Sequence, residues 1–351
     1  MTMFPVEELQ DGSLRLSDGR ILTFSARGFS EHVVTGRCCF VCGRRRETVE
    51  FNDEHVIPDW VLRRYSLHQR DIGLPNGTSI RYANYTLPCC LDCNAWLGAN
   101  VEKPVSELLS GTYQEVTSRM SIKAWRLMFV WCSLLYSKTH LKDSTLRLHR
   151  DRRKGNAMLS EKYDWDSLHH IHAVARAGCM GIDLQLEVMG SVHVMPACAT
   201  PPGTEFDYAD HTLARSMMVR LGQLIIVAVL DDSCAAFNAL GDLVARINRP
   251  LGGLQQREVL ARCADVNLRI KQRPKYFTDV GPNGAVIRGA VPDRLELEDF
   301  DPELFGETFA HCSAGVRDAP GAPGYLEEMI RSGKATSLFN EDGSFRATCS
   351  H

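Results

Sequence analysis

The sequence has no long apolar run, no marked excess of charge of either sign, no internal repeat and no low-complexity tract. Its most apolar helix candidate, Ile122 to Tyr136, carries Lys123 and Arg126 and is too short to span a bilayer. A core helix is expected there, and no membrane partner. The opening residues, Met1-Thr2-Met3-Phe4-Pro5-Val6-Glu7-Glu8, have neither the basic start nor the apolar core of a secretory signal. The formal net charge is −3, so any nucleic-acid footprint must be local. No His-Glu-x-x-His pattern and no Walker-type Gly-Lys-Ser/Thr run occurs. The 13 cysteines do not form the even framework of a short secreted domain. Six lie in two clusters, at 38, 39, 42 and at 89, 90, 93, and the rest stand singly. This distribution points to a reducing compartment and a metal site, and a cytoplasmic location is expected.

What is present is ordinary globular composition, 44% hydrophobic and 24% charged, over 351 residues, enough for two or three domains. The reading is α+β in four segments. Residues 1–36 are a β-rich lead-in, with a hairpin around Ser17-Asp18-Gly19. Residues 37–115 carry the motifs. There, strands are expected over Thr48 to Phe51 and Tyr82 to Leu87, a helical turn at Asp59 to Leu62, a loop over 71–79, and a helix from about Cys90 that breaks near Gly98. Residues 116–155 are a basic helical connector, with ten Lys or Arg against two acids between Arg119 and Lys154. That excess reads either as a solvated face or as a phosphate-contacting surface. Residues 156–351 are a mixed α+β domain. Its strands are expected at Asp183 to Val188, paired with Val192 to Val194, and at Leu224 to Leu230. Its helices are expected at Leu240 to Ile247 and Gln255 to Ala264, with a loop from Ser313 to Gly324.

The chemistry concentrates between Cys39 and Asn94. Cys39-Phe40-Val41-Cys42 and Cys90-Leu91-Asp92-Cys93 each hold two thiolates at the reach of one tetrahedral ion, and together they make a four-cysteine structural zinc site. The alternative register, through Cys38 and Cys89, would put three residues between the thiols. The two-residue spacing is preferred, which makes Cys38 and Cys89 neighbours of the site. A plain zinc ribbon has an insert on the order of 15–20 residues. The longer insert here leaves room for a hairpin with other chemistry. Within it, Asp53-Glu54-His55-Val56-Ile57-Pro58 offers an acid beside a histidine, and Asn94 follows the last thiol directly. Oxygens from Glu54 and Asn94 suit Mg²⁺ or Mn²⁺. His55, neutral near pH 7, suits a general base.

This order of motifs resembles the HNH, or ββα-metal, nuclease superfamily, and especially its zinc-knuckle members. The resemblance rests on Cys39/Cys42, on Glu54-His55-Val56-Ile57-Pro58 and on Cys90/Cys93-Asn94, and covers only that stretch. It implies a metal-dependent endonuclease, a phosphodiester hydrolase acting on DNA and leaving 5′-phosphate ends. His55 would activate the water, Glu54 and Asn94 would hold one catalytic divalent ion, and Asn84 would orient His55. The family more often has Asp where Glu54 stands, and Asp53 would replace Glu54 if the register shifted. The C-terminal domain would then serve substrate selection, regulation or a homodimer.

Other readings compete. A cytidine deaminase needs His-x-Glu and Pro-Cys-x-x-Cys, whereas here the order is Glu-His and Asp92 falls where the second cysteine after Pro88-Cys89 should be. Arg44-Arg45-Arg46 is either a solvated turn or a set of nucleic-acid contacts. His169, His170 and His172 form a tight group that reads as a surface helix or, as the alternative, a metal site, and Glu102 is expected as an exposed or capping residue. Asp231-Asp232 is expected as a turn. A non-catalytic zinc module binding nucleic acid or a protein partner would not need Glu54, His55 and Asn94 together.

Overall fold

The structure, a computed structural model, describes residues 6–317, 326–334 and 336–348. It is mixed α and β, and the chain divides into two compact units. The first comprises Met1–Leu109, Val130–Val188 and Tyr276–Arg288; the second comprises Ser110–Phe129, Met189–Lys275 and Gly289–His351.

In the first unit β1 (Val6–Glu8), β2 (Leu14–Leu16) and β3 (Ile21–Thr23) form an antiparallel sheet. The expected hairpin turns at Gly19, whose φ of 82° suits glycine. β4 (Phe51–His55) starts later than anticipated, so Glu54 and His55 lie within the strand. The segment 71–79 is not a plain loop. β5 (Asp71–Gly73) and β6 (Ser79–Arg81) pair across it, with Asn76-Gly77 in the turn. The loop-forming residues sit in the turn and leave room for two three-residue strands. β7 (Thr86–Cys90) pairs antiparallel with β4, Phe51 opposite Cys90 and His55 opposite Thr86. The expected Tyr82 to Leu87 strand is displaced because Tyr82–Asn84 forms a helical turn and the cysteines themselves complete the strand.

β7 runs directly into the knuckle helix, Leu91–Leu97. Gly98 does not break it: its φ and ψ of −57° and −47° stay helical, and the path continues through a wider turn to Glu102 and the helix Lys103–Leu108. The expected core helix is longer, Ile122–Asp143; its part from Val130 onward belongs to this unit, and every residue from Trp131 to Leu141 is buried. The helix Trp165–Arg176 is not a surface helix with loose histidines. His172 and Arg176 are buried on it. β8 (Ile182–Leu184) lies parallel to the later strand Gly284–Ala290, and not beside Val192, because Leu186–Val188 turns as a helix.

In the second unit β9 (Val192–Pro196), β10 (Phe206–His211), β11 (Ser216–Leu221) and β12 (Leu224–Val229) form an antiparallel sheet ordered β10-β11-β12-β9. Gly190 is required where the chain enters β9, because a Cβ there would run into the Val229 carbonyl. β12 is buried throughout, as its unbroken apolar run predicts. The helices Gly253–Leu268, Pro302–Cys312 and Leu326–Ser332 share its core through Val259, Phe305, Phe309 and Met329. Of the expected Ser313 to Gly324 loop, Ala314–Arg317 is helical and 318–324 lie outside the described residues. Among the described residues no helix is long and apolar enough to cross a membrane. Cys132, Cys263 and Cys312 are buried free thiols, whereas Cys198 is disulfide-bonded.

Candidate metal centre and the residues around it

The two Cys-x-x-Cys segments meet. The Sγ atoms of Cys39, Cys42, Cys90 and Cys93 all lie within 4.8 Å of one another and all four residues are buried. A tetrahedral ion with Zn–S bonds of 2.3 Å spaces its sulfurs about 3.8 Å apart, and Cys42 and Cys90 stand 3.6 Å apart. The group can therefore hold a structural metal such as zinc. Local backbone sets this up: Gly43, at φ 75°, turns the chain so that Cys39 N–H donates to Arg44 O at 2.8 Å. Cys89 is a neighbour, its sulfur 3.7 Å from that of Cys39. Cys179, which stands alone in the sequence, lies 3.9 Å from Cys93, and no local pattern marks it.

Four thiolates around a divalent ion carry two net negative charges, and two arginines stand against them. Arg44 is 4.0 Å from the Cys90 sulfur and 2.8 Å from Asp92 Oδ2. Arg176 is buried and donates to the carbonyls of Val41, Ile21 and, at 2.9 Å, Leu22. Burial pulls Arg176 down to about 10 against the opposing pull of the thiols, so it stays charged at neutral pH. His172 Nε2 donates to Phe40 O at 2.6 Å, and His169 Nε2 donates to Phe24 O at 2.8 Å. Since a carbonyl only accepts, both rings act as donors there. These histidines brace the lead-in and first knuckle, and His170 stacks on Tyr276.

The ribbon puts Glu54 and His55 on opposite faces. Glu54 is 5% exposed, and Lys138 Nζ donates to its Oε1 at 2.5 Å. The same ammonium donates to the His55 carbonyl at 2.7 Å and to Glu102 Oε1 at 3.1 Å. Lys138 is fully buried. Burial favours its neutral form, but Glu54 and Glu102 outweigh that and its pKa is raised. Glu102, expected to be exposed or capping, stands at the N-cap position of the helix Lys103–Leu108 but makes no side-chain cap bond and is half-buried; burial raises its carboxyl, while Lys138 works the other way. Asn94 sits in the first part of the knuckle helix and its Nδ2 donates to Asn52 Oδ1 at 2.8 Å. Among the described residues the four cysteines are the only group of three or more His, Cys, Asp or Glu spaced for one ion. Glu54 and Asn94 thus stand on one side of the ribbon, but Glu54 is engaged by an ammonium.

On the other face His55 is half-buried and, among the described residues, hydrogen-bonds through neither ring nitrogen. Burial lowers its pKa, Lys138 adds to that, and Asp59 opposes it. Its neighbour is His68, with ring centroids 6.5 Å apart. Asn84 is exposed in the turn before β7 and bonds to no part of His55. Asp53 is exposed opposite Pro88. Of the three arginines, Arg44 is occupied at the knuckle, Arg46 lies 5.0 Å from the Phe51 ring centroid, and Arg45 is exposed.

Comparison with family models, curated proteins and solved structures finds no match to this chain.

Proposed function

We propose that the chain is an endonuclease that hydrolyses phosphodiester bonds in DNA, with His55 as the general base. The observation that carries the reading is the β4–β7 ribbon running directly into the knuckle helix, with its base gripped by four cysteines. That scaffold holds, at the ribbon's far end, a half-buried histidine whose ring has no hydrogen-bond partner among the described residues. Such a ring, with its pKa lowered by burial, is neutral at pH 7 and ready to take a proton from water. The sequence order of acid, histidine, knuckle and asparagine supports the same class.

Glu54 and Asn94 as ligands to Mg²⁺ or Mn²⁺ belong to this proposal only as a point to test. As arranged, they do not form a free ion site: Glu54 can take a divalent ion only by releasing Lys138. The burial of Glu54 against Lys138 also favours a second reading, a non-catalytic zinc module in which the acid is structural.

The test is plasmid and oligonucleotide cleavage with Mg²⁺, with Mn²⁺ and with neither, comparing the wild type with His55→Ala. The expected result is cutting by the wild type and a loss of about 10²–10⁴-fold in the variant. Equal cutting by both, or none by a zinc-loaded wild type in any of the three conditions, rejects the catalytic reading in favour of the second.

A further inference from the structure

We infer that His68, held by Asp59, is the general acid that protonates the leaving oxygen while His55 deprotonates the attacking water; this rests on the phosphodiesterase reading above. His68 Nε2 is 2.9 Å from Asp59 Oδ1, so Nε2 carries the proton donated to the carboxylate. Nδ1 makes no hydrogen bond among the described residues. Asp59 is itself anchored by Arg63, whose Nε is 2.7 Å from Oδ2. A carboxylate that fixes one ring nitrogen and leaves the other for chemistry is the usual way a catalytic histidine is oriented.

Three features set this pair apart from an ordinary surface contact. The rings of His55 and His68 face each other edge-on, 87° between planes and 6.5 Å between centroids. That is too wide for a direct hydrogen bond between them and wide enough for each to meet a different oxygen of one phosphoryl group. Both are reachable: His55 is only half-buried and the His68 side chain is 35% exposed.

The third feature is the path that brings His68 there. The helix Asp59–Arg64 ends in a reversed turn: Leu67 N–H donates to Leu62 O at 2.8 Å and Ser66 N–H to Arg63 O at 3.4 Å. Ser66 occupies the left-handed position at φ 53°, where glycine is the usual residue. Leu67 is buried behind the turn. The turn folds His68 back onto Asp59, at the start of the same helix and four residues after His55. Backbone strain of this kind, retained at a chemically equipped spot, fits a positioning role.

The step balances. Water adds to phosphorus as its proton passes to His55. The bond to the leaving oxygen breaks as protonated His68 gives that oxygen a proton. One water is consumed, His55 ends protonated and His68 neutral, and exchange with solvent restores both.

The experiment compares two substrates that differ in leaving group. A DNA oligonucleotide must release an alkoxide, which needs a proton; bis(p-nitrophenyl) phosphate releases p-nitrophenolate, which does not. Purified full-length wild type, His55→Ala, His68→Gln and Asp59→Asn are assayed on both, with zinc content and far-UV circular dichroism checked on each. The inference expects His68→Gln to lose at least tenfold more rate on the oligonucleotide than on the nitrophenyl ester, Asp59→Asn to shift the same way, and His55→Ala to lose on both. A folded His68→Gln that loses rate equally on both, or on neither, overturns the role of His68 alone. A wild type that cleaves neither substrate, or a His55→Ala that cleaves both normally, overturns the phosphodiesterase reading and this inference with it.

Discussion

Lys138 Nζ stands 2.5 Å from Glu54 Oε1, across 84 residues of sequence, with both side chains almost wholly withdrawn from water. The ammonium also reaches Glu102 and the carbonyl of His55, so one buried charge ties the long helix to the strand that carries the histidine. Two carboxylates left in that space without Lys138 would have no compensating charge. Lys138→Met should therefore destabilise the protein by about 3–5 kcal/mol, the range for breaking a buried ion pair. The double variant with Glu54→Gln should recover part of the loss. Urea unfolding of the two variants checks this, and a loss under about 1 kcal/mol for Lys138→Met would place the pair among weak surface bridges.

The four thiolates should bind one zinc per chain. Cys42→Ser removes a ligand and should lower the bound metal well below one equivalent, while Cys89→Ser and Cys179→Ser, which touch ligands without belonging to the set, should keep it. Elemental analysis of the purified variants measures this directly. Retention of a full equivalent by Cys42→Ser together with loss from Cys179→Ser would reassign the fourth ligand.

How much of this was legible in the sequence follows from the range of each interaction. The ligand register was legible because two-residue spacing is a local geometric demand of the ion, and the four cysteines chosen that way are the four that meet. The buried run of β12 was legible from its unbroken apolar stretch, and the core helix from a mostly apolar segment too short for a membrane. Strand boundaries slipped because Cys89 and Cys90 serve both as strand residues and as the approach to the knuckle. Lys138 reads in the sequence as one of the connector's ten basic residues, on a solvated or phosphate-contacting face; it is instead fully buried, and nothing near it names Glu54 or Glu102 as partners. His68 depends on a turn at Ser66 that lacks the glycine or asparagine by which such turns are recognised.

Arg176 should matter to the metal without touching it. It is buried and its three carbonyl acceptors lie on Ile21, Leu22 and Val41, so it joins the lead-in sheet to the first knuckle. Arg176→Met leaves those carbonyls without their donor and removes a positive charge facing the thiolates. Zinc affinity should fall about 10–100-fold, the effect of losing support behind a ligand shell. Competition with a chromophoric chelator measures it; unchanged affinity would make Arg176 a fold residue only.

Asp232 offers a pH test in the second unit. The sequence suggests a turn after β12, but the residue is 1% exposed and its carboxylate accepts from Ser191 N at 2.8 Å, Ser191 Oγ at 2.6 Å and Ala236 N at 2.8 Å. Burial nevertheless pushes it up to about 6, with Asp231 adding to the rise and the three donors opposing it. Between the ordinary carboxylate value of 3.8 and about 6, the folded state therefore holds a proton that the unfolded chain has released. Stability must then fall as pH rises through that window, by up to about 1.4 kcal/mol per pH unit and about 3 kcal/mol in all. Asp232→Asn does not titrate, so the difference in unfolding free energy between wild type and variant isolates this group. That difference should move against the wild type from pH 4 to pH 6 and level off above. A difference that stays flat would show that the three hydrogen bonds compensate the burial fully, leaving Asp232 ionised at the same pH in the folded and unfolded chain.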